Sequence, residues 1–268
     1  MQPGWQAQLQ LGFAARYGKT ILTQRRHNGP LTLQRPFYPE GEVCHVYLLH
    51  PPGGVVAGDQ LLIKAHAETE SAALITTPAA TKFYRSEGLV AQQTTRLSVA
   101  VGASMEWLPQ ETIIYQGAQV SCDNYIDLAQ GARFIGWEQL ALGRPAADEG
   151  FAQGSVTMNW HIRRDNELLY RERLVITPES FAANWGLQGQ SACATLFAYP
   201  ATPHELHRVQ ALMDTQSGYG VTLIDELLIC RALAARADSL RAFYQRLWQV
   251  LRPNIMQRQP CAPRIWFT

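Results

Sequence analysis

Three carboxylates sit where chemistry is plausible. Asp59 closes the run Gly53-Gly54-Val55-Val56-Ala57-Gly58-Asp59, Glu138 follows Gly136-Trp137, and Glu172 lies between Arg171 and Arg173. Carboxylates bind divalent cations through hard oxygen donors, and a facing pair in an open cleft carries acid/base hydrolysis. Asp59 also has a structural reading. A glycine-flanked Asp commonly bonds its own backbone in a turn, and Gly58 lets another backbone approach closely. For Glu138 and Glu172 the structural alternative is ion pairing with Arg144, Arg171 or Arg173.

Other groupings fall short of a site. Gly18-Lys19-Thr20 ends like a phosphate-binding loop, but position 13 is Phe where that loop needs Gly. The next residues, Ile21-Leu22-Thr23, read as a strand, whereas phosphate binding needs a helix N-terminus. His204 and His207 are three apart, and Arg208 occupies the place where a zincin helix puts its second ligand. His45 and His50 are five apart in one predicted strand, so they point to opposite faces. The segment 189–193 lacks the second glycine of a nucleophile elbow. Five cysteines at 44, 122, 193, 230 and 261 form no C-x-x-C, which predicts neither a disulfide framework nor a zinc knuckle.

The elements that must position these residues are mostly strands. Trp5, Ala7, Leu9, Leu11 and Phe13 alternate with polar residues or glycine. The same period of two returns at 61–65, 97–101, 105–107 and 156–162, and turn residues punctuate the intervals. No helical period is legible from 1 to about 177. The sequence predicts a mainly β fold, with stacked sheets in a helix-like or sandwich arrangement and a small C-terminal helical layer. Thr202-Pro203-His204-Glu205 reads as a capping box opening a helix that Ser217-Gly218 stops. A strand is predicted over 221–233. A second helix is predicted from an Asp238 N-cap to Pro253. With no linker or fixed-period repeat, residues 1–268 read as a single domain.

Composition excludes several classes. The 268 residues are 47% hydrophobic and 17% charged, with 23 basic against 22 acidic residues and a formal net charge of +1. That balance argues against nucleic acid and against a polybasic membrane surface. No run approaches the ~18 apolar residues of a membrane span. The first ten residues carry neither a basic region nor an apolar run of the secretory kind. These features predict a cytoplasmic protein.

Several segments carry a family resemblance: 29–41, 44–59, 75–86 (Ile75 to Ser86), 106–112, 136–145, 247–253 and 263–268. They resemble, collinearly and at near-constant spacing, the urease accessory protein family UreD, also called UreH. The resemblance implies a β-rich, non-enzymatic scaffold and nickel-insertion chaperone. It implies binding to apo-urease and to UreF, which recruits the GTPase UreG, in a complex that dimerises through UreF. It further implies transient passage of nickel(II) along an acidic internal route. Asp59, Glu138 and Glu172 are the matching metal positions, and Thr81 and Lys82 fall in a matching A-T-K-F-Y-R-S motif. Two other readings stand beside it. One is a β-rich enzyme pairing Asp59 with Glu138 or Glu172, and the other is a plain adaptor whose acidic residues are structural.

Overall fold

The computed structural model describes residues 4–147, 149–213 and 218–267. The alternation opening the chain becomes β1 (Gln6–Arg16), whose Ala7, Leu9, Leu11 and Phe13 are buried. It turns at Tyr17-Gly18, both with positive φ, into antiparallel β2 (Lys19–Asn28). Two successive positive φ values are those of a tight hairpin turn, which disposes of the phosphate-loop reading. Short β3 (Thr32–Leu33) leads to β4 (Cys44–Leu49), after which the chain winds as a coil.

Each circuit lays one strand on each of two sheets. In order these are β5 (Gln60–Ala67), β6 (Ala72–Thr76), β7 (Thr81–Phe83), β8 (Ala91–Val99), β9 (Ser104–Leu108), β10 (Thr112–Ile114), β11 (Gln119–Leu128), β12 (Arg133–Leu142) and β13 (Ser155–Arg164). β14 (Glu167–Ile176) returns antiparallel to β13. The first sheet has the order β14-β13-β11-β8-β5-β1-β2. The second includes β4, β6, β9 and β12, with β10 pairing in parallel to β12 and β7 pairing in parallel to β10. Successive circuits stack their strands in parallel: β5 on β8, β8 on β11, β11 on β13, and β4, β6, β9 and β12 in turn. The mainly β, stacked, helix-like arrangement expected from the sequence is the one observed.

One core lies between the two sheets, joining Leu9, Leu11, Ile63, Leu97, Ile126 and Trp160 of the first to Val46, Ile75, Phe134, Leu140 and Phe197 of the second. A second core lies on the other side of the second sheet, where Ile135, Trp137, Leu196 and Leu228 meet Phe243, Tyr244, Leu247 and Trp248. Alternating residues of β12 therefore serve different layers, as the period of two requires.

The late elements refine the expectation. Helix α1 (Pro178–Ala182) begins where the strand pattern ends, and β15 (Ala192–Tyr199) follows it. α2 (Pro203–Gln210) opens on the expected capping box: Thr202 accepts from the His204 amide, and Glu205 accepts from Thr202. Ser217, half of its expected stop signal, lies outside the described residues. The strand expected over 221–233 is two strands, β16 (Tyr219–Ile224) and β17 (Leu227–Ala234), because Asp225 adopts a positive φ and turns the chain. α3 (Ala237–Ile255) starts from Arg236 rather than Asp238, and Pro253 lies inside it. Asp238, two residues past the N-cap, instead pairs with Arg236. Proline removes one helical hydrogen bond, a loss confined here to the last turn.

Arg252 holds that turn in place. Its guanidinium is fully buried and bonds Glu40 at 2.6 Å and Glu106 at 3.0 Å, while Trp248 donates to Glu106 at 2.6 Å. His45, also fully buried, lies 2.6 Å from the same Glu40. The helix is thus bonded through the second sheet to the 38–42 turn.

Candidate functional site

Two cavities border the core between the sheets, and Glu138 lines both. One, of about 440 Å³, is walled by His50, Pro51, Gly54, Thr81, Lys82, Trp107 and Thr112 among others. The second, of about 360 Å³, is walled by Met158, Trp160, Glu172, Cys193, Tyr219 and Arg231 among others. β12 explains the placement. Phe134 and Leu140 face the inter-sheet core, so Glu138, in the same alternation, does so too. The parallel pairing of Thr112 on β10 with Leu140 brings the Thr112 hydroxyl to Glu138, where it donates a 2.6 Å hydrogen bond.

Glu138 has no arginine partner among the described ion pairs, contrary to its structural alternative, and is only 7% exposed. Burial pushes its carboxyl up to about 7, against the opposing hydrogen bonds from Thr112 and the Gln139 backbone. This carboxyl therefore exchanges its proton near neutral pH. The thiol of Cys193, on the wall of the smaller cavity, is pushed up to about 12 by burial and by the charges of Glu138 and Glu172. At neutral pH it is a neutral thiol, a poor ligand compared with a thiolate.

Glu172 has an ion-pair partner, but not one of those expected from the sequence. Arg231 on β17 reaches it from the opposite sheet at 2.9 Å, and Tyr170 donates to its second oxygen at 3.1 Å. Arg144 pairs instead with Glu149. The Glu172–Arg231 pair links the two sheets at the wall of the smaller cavity.

Asp59 lies apart from this arrangement, being absent from both cavity walls. It is buried, and both oxygens are engaged: Oδ1 accepts from the Trp5 amide at 2.8 Å and Oδ2 from the Val56 amide at 3.0 Å. Gly58 has φ of +80°, and a Cβ on Gly4 would sit 2.2 Å from the Gly58 carbonyl carbon. The close backbone approach anticipated at Gly58 is therefore present, and Asp59 fastens the chain's beginning to the 56–59 turn. His50, on the larger cavity wall, feels the Asp59 charge: burial lowers its pKa and that charge opposes the shift.

The structure thus brings Thr81, Lys82, Glu138 and Glu172 to connected walls and leaves Asp59 as a backbone clamp. It does not gather Asp59 with Glu138 or Glu172 around a common cleft. Among the described residues no group of three or more His, Cys, Asp or Glu is placed to hold a metal ion, and all five cysteines are free. Reading the sequence missed Thr112 and Arg231. Thr112 ends the segment 106–112, while Arg231, in a plain strand, bore no local signal.

The family described as UreD urease accessory protein matches residues 6–267. A protein of Pseudomonas putida (strain W619) named urease accessory protein UreD is 46% identical over 266 residues, covering 99% of this chain and 95% of its own length. Proteins with the same name from Citrobacter koseri and Methylobacillus flagellatus are 44% and 41% identical, covering 99% and 98% of this chain and 92% and 95% of their own lengths. With near-complete coverage in both directions, the chain belongs to the UreD family of urease accessory proteins.

Proposed function

We propose that this protein serves urease maturation as a non-enzymatic scaffold whose interior passes nickel(II) toward apo-urease. The reading places it in the cytoplasm, on apo-urease and UreF, with the GTPase UreG joining through UreF and the complex dimerising through UreF. The metal is cargo, held transiently. The observation that carries the reading is the position of Glu138 on the walls of both cavities, buried and without an arginine ion pair among the described residues.

The donor set suits passage. Nickel(II) stands high in the order of divalent affinities, so several imidazoles or thiolates together would trap it. A lone carboxylate beside a hydroxyl attracts a divalent cation and lets it go, as conduction requires. Lys82 at one cavity and Arg231 at the other keep net negative charge low, which weakens retention further. Entry of nickel at Glu138 would displace its proton, so occupancy of that position rises with pH through about 7.

A second reading, the adaptor without passage, draws on Asp59, each of whose oxygens accepts from a backbone amide. Co-expression with apo-urease, UreF and UreG separates the two. Under the conduit reading, Glu138→Gln leaves copurification intact and lowers the nickel content of urease. Unchanged nickel content with an intact complex would leave only the adaptor.

A further inference from the structure

The first sheet has an outer face that neither cavity nor helix uses. Its register aligns outward residues of neighbouring strands into rows. One row runs from Arg26 through Gln10 to Lys64, Arg96, Tyr125, His161 and Arg171. At about 4.8 Å per strand, the stretch from Lys64 to Arg171 spans about 19 Å. Arg163 and Arg173 flank it on the same face.

None of Arg26, Lys64, Arg96, Arg163, Arg171 and Arg173 makes an ion pair among the described residues, although Arg16, Arg144, Arg164, Arg231, Arg236, Arg241 and Arg252 all do. Among the described residues of these strands, the outward or exposed carboxylates are Asp123, which accepts from Asn159, Asp127 and, at the start of β14, Glu167. Six cations that make no ion pair among the described residues therefore share one sheet face, in a chain whose formal net charge is +1. At its centre is a shallow depression of about 300 Å³, walled by Gln10, Lys64, His66, Arg96 and Asp127 among others.

We infer that this face docks an acidic protein surface, its carboxylates seated against the Lys64–Arg171 row. The chemistry favours a protein over nucleic acid. Arg96 covers the ring of Tyr125 at 4.3 Å, and His161 stacks on the same tyrosine at 4.9 Å and 12°. These aromatic faces are already occupied and offer no platform for bases. Asp123 and Asp127 would repel a continuous phosphate chain, yet they leave room for discrete carboxylates. Guanidinium forks match carboxylates in paired geometry, and arginine supplies five of the six cations. The inference concerns the sheet surface remote from Glu138 and stands without the nickel route.

The test uses the full chain, immobilised through a terminal tag, with oligoglutamate as the acidic probe and an oligothymidylate of equal charge as the competitor. The variant R96Q/R171Q/R173Q removes charge from the face. The control R35Q/R208Q/R246Q removes the same charge from arginines elsewhere. Expected is a loss of oligoglutamate affinity of about tenfold or more in the first variant and less than about twofold in the control. Binding of the unaltered chain should weaken as ionic strength rises from about 0.01 to about 0.15 M, which shortens the screening length from about 30 to about 8 Å. Equal losses in the two variants, or no measurable binding by the unaltered chain, would overturn the inference. Tighter binding of oligothymidylate, abolished by R96Q/R171Q/R173Q alone, would also overturn it and assign the face to nucleic acid. Matching circular dichroism melts of all three proteins ensure that the comparison reads charge rather than folding.

Discussion

Substituting Glu138 by Gln separates what this carboxylate costs the fold from what it does for the cavities. Its folded pKa is raised from 4.5 to about 7. A group that binds its proton more tightly when folded adds stability below its unfolded pKa and loses it as pH rises through the folded value. The contribution is thus present below about 4.5 and gone above about 7. At about 1.36 kcal/mol per unit, the difference amounts to about 3 kcal/mol, and a 7%-exposed group receives little solvent screening. Gln keeps the size and an acceptor for the Thr112 hydroxyl, and no arginine is orphaned. Glu138→Gln should therefore lie level with the parent protein or up to about 2 kcal/mol below it near pH 4.5, the cost of burying an amide, and exceed it at pH 8 by about 1–3 kcal/mol. Urea denaturation of the full chain at the two pH values reads this directly, provided the slope is unchanged. A variant less stable than the parent at pH 8 would refute the burial argument. So would a stability difference that does not change between the two pH values.

Asp59→Asn is expected to destabilise by about 1–3 kcal/mol, since one of the amides of Trp5 and Val56 would face an amide donor instead of an oxygen; a melt indistinguishable from the parent would discard the clamp. Arg252→Met should cost about 3–5 kcal/mol by leaving Glu40 and Glu106 buried without their cation. Adding Glu106→Gln should recover part of that loss in urea denaturation, and absence of recovery would argue against an electrostatic origin. Lys19→Ala, in the β1–β2 hairpin, should leave stability within about 0.5 kcal/mol of the parent. The purified chain should hydrolyse no GTP above buffer, and turnover intrinsic to the chain would contradict the non-enzymatic reading.

What the sequence determined by itself was local. The period of two in residues 5–13 specified a half-buried strand, because alternate side chains of an extended chain leave on opposite faces. Gly18-Lys19 ahead of the strand-like Ile21-Leu22-Thr23 specified a turn rather than a phosphate loop, which the structure places at Tyr17-Gly18, and Thr202 to Glu205 specified a helix start. Even the tight approach at Gly58 was legible, since glycine alone tolerates that φ without strain. The single strand expected over 221–233 failed for an equally local reason: Asp225, followed by Glu226 between two apolar runs, turned left-handed. Tertiary structure decided which carboxylate does what. Asp59 and Glu138 sit in equally suggestive motifs, yet the amide of Trp5, 54 positions away, joins that of Val56 in engaging both oxygens of one, while the coil's stacking leaves the other facing two cavities. Glu172 passes over the arginines beside it because they point out of the sheet, and pairs with Arg231 across the core. Glu106 and Arg252 meet across 146 positions. A buried charge takes its partner and its proton affinity from whatever the fold brings within a few ångströms, and in a wound β-coil those neighbours come from other circuits and the opposite sheet.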